Sequence, residues 1–226
     1  MKVCTDACIQ GAYAAAWLNN RTIRSDGKDI KILDIGTGTG LLTLMLAQEI
    51  SSAYLDAIEL DTAACRQAGE NFIASPWADR IRIFQGDIRT YPLSQTYDFI
   101  ICNPPFYEND LKSAHQLKNQ AKHEITLDSQ ALLHGILSNL SPGGSFCVMF
   151  PVKQFSRFRE MAEEYLFYPE HVLHVRHTAA HSLFRSIGCF TREKGTVWEE
   201  EFCMMDKTGN YTPAFKSLLD RYYLHL

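Results

Sequence analysis

The sequence predicts an α/β fold: a mostly parallel sheet with helices on both faces and an antiparallel pair at one edge. Three observations predict it. Short apolar runs alternate with helical stretches through residue 150, as strand–crossover–strand units do. A glycine-rich turn, Gly36 to Gly40, joins the first run to the helical stretch after it. The last three apolar runs follow one another with little helix between them, which favours antiparallel pairing.

The elements follow in order. "TDACIQGAYAAAWLNN" is Ala-rich with Thr5 or Asp6 as its cap, and reads as a helix. "IRSDGKD" is a polar loop. "IKILDIG" is a strand and "LLTLMLAQEI" a helix; "AYLDAIEL" is a strand and "DTAACRQAGENFIA" a helix; "IRIFQGD" and "YDFIIC" are strands. "LDSQALLHGILSNL" is a helix capped near Thr126 or Asp128, and it stops at the Pro-Gly breaker "SPGG". "SFCVMF" is a strand and "VKQFSRFREMAEEYLF" a helix. "HVLHVRH", "RSIGCFTR" and "EEEFCMM" read as strands joined by turns, and "YTPAFKSLLDRYYLHL" as a turn and a helix. With no repeat or linker, one domain over residues 1–226 is the simplest reading. Residues 1–25 form the N-terminal helix and lead-in, 30–150 the ligand-binding core, and 151–226 the C-terminal sheet edge and substrate-side elements.

Composition narrows the function classes. The chain has 226 residues, 46% hydrophobic and 21% charged, which suits one large globular domain. No apolar run reaches membrane-spanning length, and the N-terminus lacks a basic-then-apolar signal pattern. Cysteines at 4, 8, 65, 102, 147, 189 and 203 form no CxxC pair. They read as reduced thiols in a cytoplasmic protein, small core residues rather than a metal site. A net charge of −4 does not advertise nucleic-acid binding, though a local basic patch can act alone.

In open parallel sheets, ligands bind beyond the carboxyl ends of the strands. The first strand ends in "LDIGTGTG". Glycines at 36, 38 and 40 allow a tight turn and a close approach to a ligand. The dinucleotide pattern needs glycine at 41, where Leu41 stands, and a Walker loop needs an absent G-K-[ST]. What remains is Asp34-x-Gly-x-Gly-x-Gly, whose acid faces the ligand and suits a cation. The second strand ends at Glu59, placed to accept from ribose hydroxyls; Asp61 is the alternative acid, or a helix cap. Asp87 follows the third strand and can accept from an adenine amino group; taken alone, it is better explained as a helix cap or turn aspartate. The fourth strand runs into "NPPFYEND", Asn103 to Asp110.

That order of strand-end groups, Asp34, Glu59, Asp87, Asn103, resembles the class I S-adenosylmethionine-dependent methyltransferases. The resemblance implies a Rossmann-like fold with a central, mostly parallel seven-stranded sheet, and S-adenosyl-L-methionine as cofactor. It implies that Asp34, Gly36, Gly38, Gly40, Glu59 and Asp87 hold that cofactor, and that Asn103, Pro104, Pro105 and Phe106 form the catalytic tetrapeptide of amino-group methyltransferases. The residue types suit the task. A planar NH2 is a poor nucleophile because its lone pair is delocalised. The Asn103 side-chain oxygen and the Pro104 carbonyl, aimed at its two N–H bonds, favour pyramidalisation and stabilise developing positive charge. Proline fixes φ and holds that carbonyl still. Phe106 offers a stacking face worth ~1–3 kcal/mol. Tyr107 is a second aromatic wall or packs on neighbouring loops.

Asn-Pro-Pro-aromatic does not choose between adenine N6, cytosine N4 and a glutamine amide. The flanking segments do. "MKVCTDACIQGAYAAAW", "NPPFYEND" with "NQAKHEITLDSQALL", and "YTPAFKSLLDRYYLHL" resemble the bacterial valine-tRNA adenine-N6 methyltransferases, with Cys4 and Ala7 where that family carries glycine. The resemblance implies methylation of adenine 37 in the anticodon loop of the isoacceptor-one valine tRNA, without a membrane or an obligate protein partner. Lys112, Lys118, Lys122, His123, Arg176 and Arg185 are the cations available to grip RNA, though each taken singly is better read as a solvated surface charge. The competing readings are a protein glutamine-amide methyltransferase, against which Phe106 and the absence of room for a helical N-terminal domain argue; a silent cofactor-binding subunit; and a nicotinamide dehydrogenase, which Leu41 disfavours.

Overall fold

A computed structural model of the chain describes residues 4–21, 29–104 and 129–226. Its strands are β1 (Ile30–Ile35), β2 (Ala53–Glu59), β3 (Ile81–Gln85), β4 (Tyr97–Cys102), β5 (Leu140–Phe150), β6 (Tyr168–Arg176), β7 (Arg185–Thr191) and β8 (Trp198–Cys203). Its α-helices are α1 (Thr5–Asn20), α2 (Leu41–Glu49), α3 (Thr62–Ala74), α4 (Ser129–Asn139), α5 (Val152–Glu164) and α6 (Pro213–Leu219).

All eight strands join one sheet, in the order β3-β2-β1-β4-β5-β7-β6-β8. β1 and β4 are its centre. Every residue of β4 is buried, as expected of a strand covered on both faces. One hydrophobic cluster joins α1, α2, α3 and α6 to Ile32, Phe99 and Ile101; the other joins α4 and α5 to Leu33, Ile35, Ile100 and Cys102. Neighbouring strand residues thus alternate between the two layers. The cysteines are free thiols, with Cys8, Cys102, Cys147 and Cys189 buried.

Two expectations change. The antiparallel pairing expected toward one edge is present, between β6 and β7, whereas the strand count and the strand at the border change: the sheet has an eighth strand beyond the seven expected. β7 runs antiparallel to both β5 and β6, whereas β8 pairs parallel with β6 and forms the edge. Charge explains how β8 serves there: Glu199 accepts from Arg159 at 2.9 Å, and Glu201 pairs with Arg176. Carboxylates along a border strand discourage further strand addition.

Local punctuation differs as well. α1 begins after Cys4 with no side-chain cap; Asp6 instead accepts from Arg185 Nε at 3.0 Å. α4 ends before the Pro-Gly stretch, at Asn139, whose Nδ2 donates to the Gly135 carbonyl at 2.8 Å. Ser141 to Gly144 are taken up inside β5 as an irregularity, where the register passes from Tyr97 opposite Leu140 to Phe99 opposite Ser145. The loop around 22–28 and the caps Thr126 and Asp128 lie outside the described residues.

The strand order reverses between β1 and β4: β2 and β3 lie to one side, and β5 onward to the other. A crevice opens at such a switch point, beyond the carboxyl ends of the strands.

Candidate active site

The turn after β1 sits in that crevice. Gly36, Gly38 and Gly40 all have positive φ, at 68°, 59° and 87°. Gly40 is doubly constrained, because a Cβ there would lie 2.4 Å from the Phe72 ring. At Gly36 a Cβ would meet nothing within 4 Å, so backbone strain and not a protein neighbour calls for glycine, and the space beside the turn stays open. The turn is pinned from several sides. The Gly36 amide donates to the Ile58 carbonyl at 2.9 Å, and Asn71 Nδ2 of α3 donates to the Thr39 carbonyl at 2.8 Å.

Asp34 lies beneath the turn and is 1% exposed. Its Oδ2 accepts from Thr37 Oγ1 at 2.6 Å and from Thr43 Oγ1 at 2.7 Å. Its Oδ1 is buried with no hydrogen-bond partner among the described residues. Burial pushes this carboxyl up to about 6, against the pull of the two threonine hydroxyls, with the nearby Glu59 charge adding to the rise.

At the end of β2, Glu59 closes the turn. Its Oε2 accepts from the Gly38 amide at 2.8 Å and its Oε1 from the Asp61 amide at 2.9 Å. An ionised carboxylate has about four lone-pair sites, so capacity remains for a ligand's hydroxyls. Asp61 is the N-cap of α3, accepting from the Ala64 amide at 2.8 Å. Asp87 follows β3, but its carboxylate is engaged by its own turn. Arg89 Nε donates to Oδ1 at 2.9 Å and to Oδ2 at 2.8 Å, and the Arg89 amide donates to Oδ1 at 2.9 Å. The Arg89 hydrogen bonds hold this carboxyl below its ordinary range.

Asn103 stands one residue past β4, in line with β1 across the pair Ile35–Cys102. Its Oδ1 is buried without a partner among the described residues, and Pro104 beside it is buried. Pro105, Phe106, Tyr107, Lys112, Lys118, Lys122 and His123 lie outside the described residues. The two remaining cations are tied into the protein: Arg176 pairs with Glu201, and Arg185 with Asp6. Asp34, the glycine turn, Glu59, Asn103 and Pro104 thus gather at the ends of three adjacent strands.

Sequence reasoning passed over Thr37, Thr43, Asn71, Arg89 and Gln10. Gln10 of α1 is fully buried, and its Nε2 donates to the Cys102 carbonyl at 2.9 Å. The available signal was a lone polar residue in an apolar helical run: Gln10 in "ACIQGAYAAA" and Thr43 in "LLTLMLA".

Known proteins resemble this chain in sequence and fold. Residues 15–150 match the methyltransferase small domain family. A tRNA1(Val) (adenine(37)-N6)-methyltransferase of Dyadobacter fermentans is 40% identical over 99% of this chain and 91% of its own length. A protein of the same name from Cronobacter sakazakii is 34% identical over 100% of this chain and 89% of its own. The chain belongs to this methyltransferase family. The methyltransferase also shares its fold with the crystal structure of a predicted O-methyltransferase from Agrobacterium tumefaciens, at a TM-score of 0.68 and 13% identity, over 95% of each chain.

The cofactor of the methyltransferase is S-adenosyl-L-methionine, and the site fits it. A buried carboxylate oxygen of Asp34 lacks a donor among the described residues, the turn at Gly36 leaves open space, and Glu59 keeps accepting capacity. A ligand with a cationic group, hydroxyls and a flat base answers all three. When bound, it supplies an electrophilic methyl group on a sulfonium sulfur.

Proposed function

We propose that this chain methylates N6 of adenine 37 in the anticodon loop of the isoacceptor-one valine tRNA, using S-adenosyl-L-methionine. One observation carries the assignment of the chemistry. Asn103 Oδ1 is a buried acceptor with no donor among the described residues, one residue beyond the central strand and beside the glycine turn. An unmet buried acceptor costs roughly 1–3 kcal/mol, a cost that a ligand's N–H removes. The substrate is argued from the relatives named for it, which match nearly the whole chain.

Each residue has a part. Asp34, Gly36, Gly38 and Gly40 hold the amino-acid end of the cofactor and Glu59 its ribose. Asp87 receives the adenine amine only by sharing its carboxylate with Arg89. Asn103 Oδ1 and the Pro104 carbonyl accept from the two N–H bonds of the target amine. They raise its nucleophilicity and stabilise the charge that grows on nitrogen. Asn103 takes no proton; the ammonium-like product releases it to water. Pro105 and Phe106 are the remaining members of the catalytic tetrapeptide, Phe106 as the stacking partner of the base, and Tyr107, Lys122 and His123 are assigned to substrate binding. An anticodon-loop base is mostly unpaired, so bringing it to this pocket costs less than the few kcal/mol needed in a duplex. Among the described residues no helix is long and apolar enough to cross a membrane. The reading takes residues 1–226 as one methyltransferase domain in the cytoplasm, needing no obligate protein partner.

The test is methyl transfer from labelled cofactor to unmodified valine tRNA, to the same transcript with guanine at 37, and to a release-factor protein. Label in the first alone supports the assignment. Equal label in both transcripts, or label only in a protein glutamine, overturns it.

A further inference from the structure

Among the buried side-chain oxygens without partners among the described residues are Gln10 Oε1 of α1, Asp34 Oδ1 of β1 and Asn103 Oδ1 after β4, and these elements are neighbours. Gln10 is 0% exposed and Asp34 1%. Register and layering bring them together. Asp34 is paired with Ile101 across β1 and β4. Its bond to Thr43 of α2 puts its side chain in the layer of Ile101, and α1 shares that layer. Gln10 is fastened by its Nε2 to the Cys102 carbonyl, the peptide group that leads into Asn103. The same bond leaves the amide oxygen of Gln10 in the interior, with no donor among the described residues.

We infer that Gln10 is a cofactor-binding residue, whose Oε1 joins Asp34 Oδ1 in accepting from the α-ammonium group of the cofactor's amino-acid end. The inference rests on the methyltransferase reading and adds a residue to it. Elimination identifies the donor. The target amine has two N–H bonds, already met by Asn103 and the Pro104 carbonyl. The ribose hydroxyls belong to Glu59, at the end of the next strand. The remaining donor-rich group is the ammonium, which carries three N–H bonds and a positive charge. A carboxylate and an amide oxygen, both shielded from water, suit it better than a neutral group, since charge-assisted hydrogen bonds are the stronger kind. Gln10 thereby links the two halves of the site: one end of its carboxamide sets the peptide before Asn103, and the other holds the cofactor.

The test compares two ligands by calorimetry: S-adenosylhomocysteine, and its deamino counterpart, in which hydrogen replaces the amino group. Gln10→Met keeps volume and removes both polar ends. Binding of S-adenosylhomocysteine should weaken about tenfold, while the deamino ligand binds the variant as it binds the unaltered protein. An equal loss for both ligands, or no loss for either, overturns the inference and leaves the methyltransferase reading standing. Failure of the unaltered protein to bind either ligand overturns both together. Should Gln10→Met not fold, the Gln10 side-chain amide resonances of the unaltered protein decide. They should shift with S-adenosylhomocysteine and stay in place with the deamino ligand; equal shifts refute the assignment.

Discussion

Glu59 Oε2 accepts the amide hydrogen of Gly38 at 2.8 Å, so the acid ending one strand holds closed the glycine turn ending its neighbour. Its other oxygen accepts from the Asp61 amide at 2.9 Å, at the start of α3. One carboxylate therefore shapes the glycine turn, and in the proposed reading it also accepts from the cofactor's ribose.

Glu59→Gln tests that double duty. An amide offers one oxygen where two backbone N–H groups each need an acceptor, so one of them would face an NH2 donor. Stability should fall by about 1–3 kcal/mol. Affinity for S-adenosylhomocysteine should fall tenfold or more, and preference over the 2′-deoxy ligand should shrink, both read by calorimetry. Retention of full ribose preference would remove Glu59 from the ribose role.

Asp34 predicts a pH dependence. Its carboxyl is raised from 3.8 to about 6, mainly by burial. A raised carboxyl means the folded chain binds the proton more tightly than the unfolded chain. The stability from this group is therefore present at low pH and lost as pH rises through the window from about 4 to about 6, by about 3 kcal/mol. Asp34→Asn is neutral at every pH. Relative to the unaltered protein, its melting temperature should rise by several degrees between pH 4.5 and pH 8. Cofactor binding should show the opposite trend: the unaltered protein gains affinity as Asp34 ionises, and the variant stays flat and weak. A flat profile in the unaltered protein would exclude Asp34 as the anionic partner. Glu59 is the other charge facing this carboxyl, so Glu59→Gln serves as the control.

Asn103→Ala separates chemistry from binding. Loss of one preorganised hydrogen-bonding partner from a developing charge slows transfer by roughly a hundred- to a thousandfold. Single-turnover transfer to valine tRNA should show that drop, while affinity for S-adenosylhomocysteine changes less than about threefold. Because Asn103 Oδ1 has no donor among the described residues, the variant should be no less stable. A variant keeping a tenth or more of the rate would end the acceptor role.

The strands were legible because their apolar runs are short and bounded by Gly, Pro or polar turns, and strand ends are where ligand groups collect. Asp34, the glycine turn, Glu59 and Asn103 could be placed on that rule. The rest depended on partners distant in sequence. Nothing local reveals that Thr43, nine residues on, donates to Asp34, or that Arg89 occupies the carboxylate of Asp87. The place of β8 was hidden for the same reason. "EEEF" reads as a strand, and only its parallel pairing with β6, flanked by Arg159 and Arg176, shows which neighbour holds it.

Gly40 carries the last prediction, because two independent constraints act on one atom. Its φ of 87° is the left-handed conformation at the N-cap of α2, and a Cβ would sit 2.4 Å from Cε1 and 2.8 Å from Cζ of Phe72. Gly40→Ala therefore adds backbone strain of about 1 kcal/mol or more and forces a buried ring of α3 to move, which costs about 1–3 kcal/mol in a packed core. Denaturant unfolding should show a total loss of about 2–4 kcal/mol. Adding Phe72→Leu separates the two causes. The smaller side chain removes the collision but not the strain, so the double variant should lose less than the sum of the single losses, yet keep a deficit relative to Phe72→Leu alone. Full additivity would show that the ring does not limit this position. Absence of any residual deficit would show that the turn accommodates an L-residue without strain.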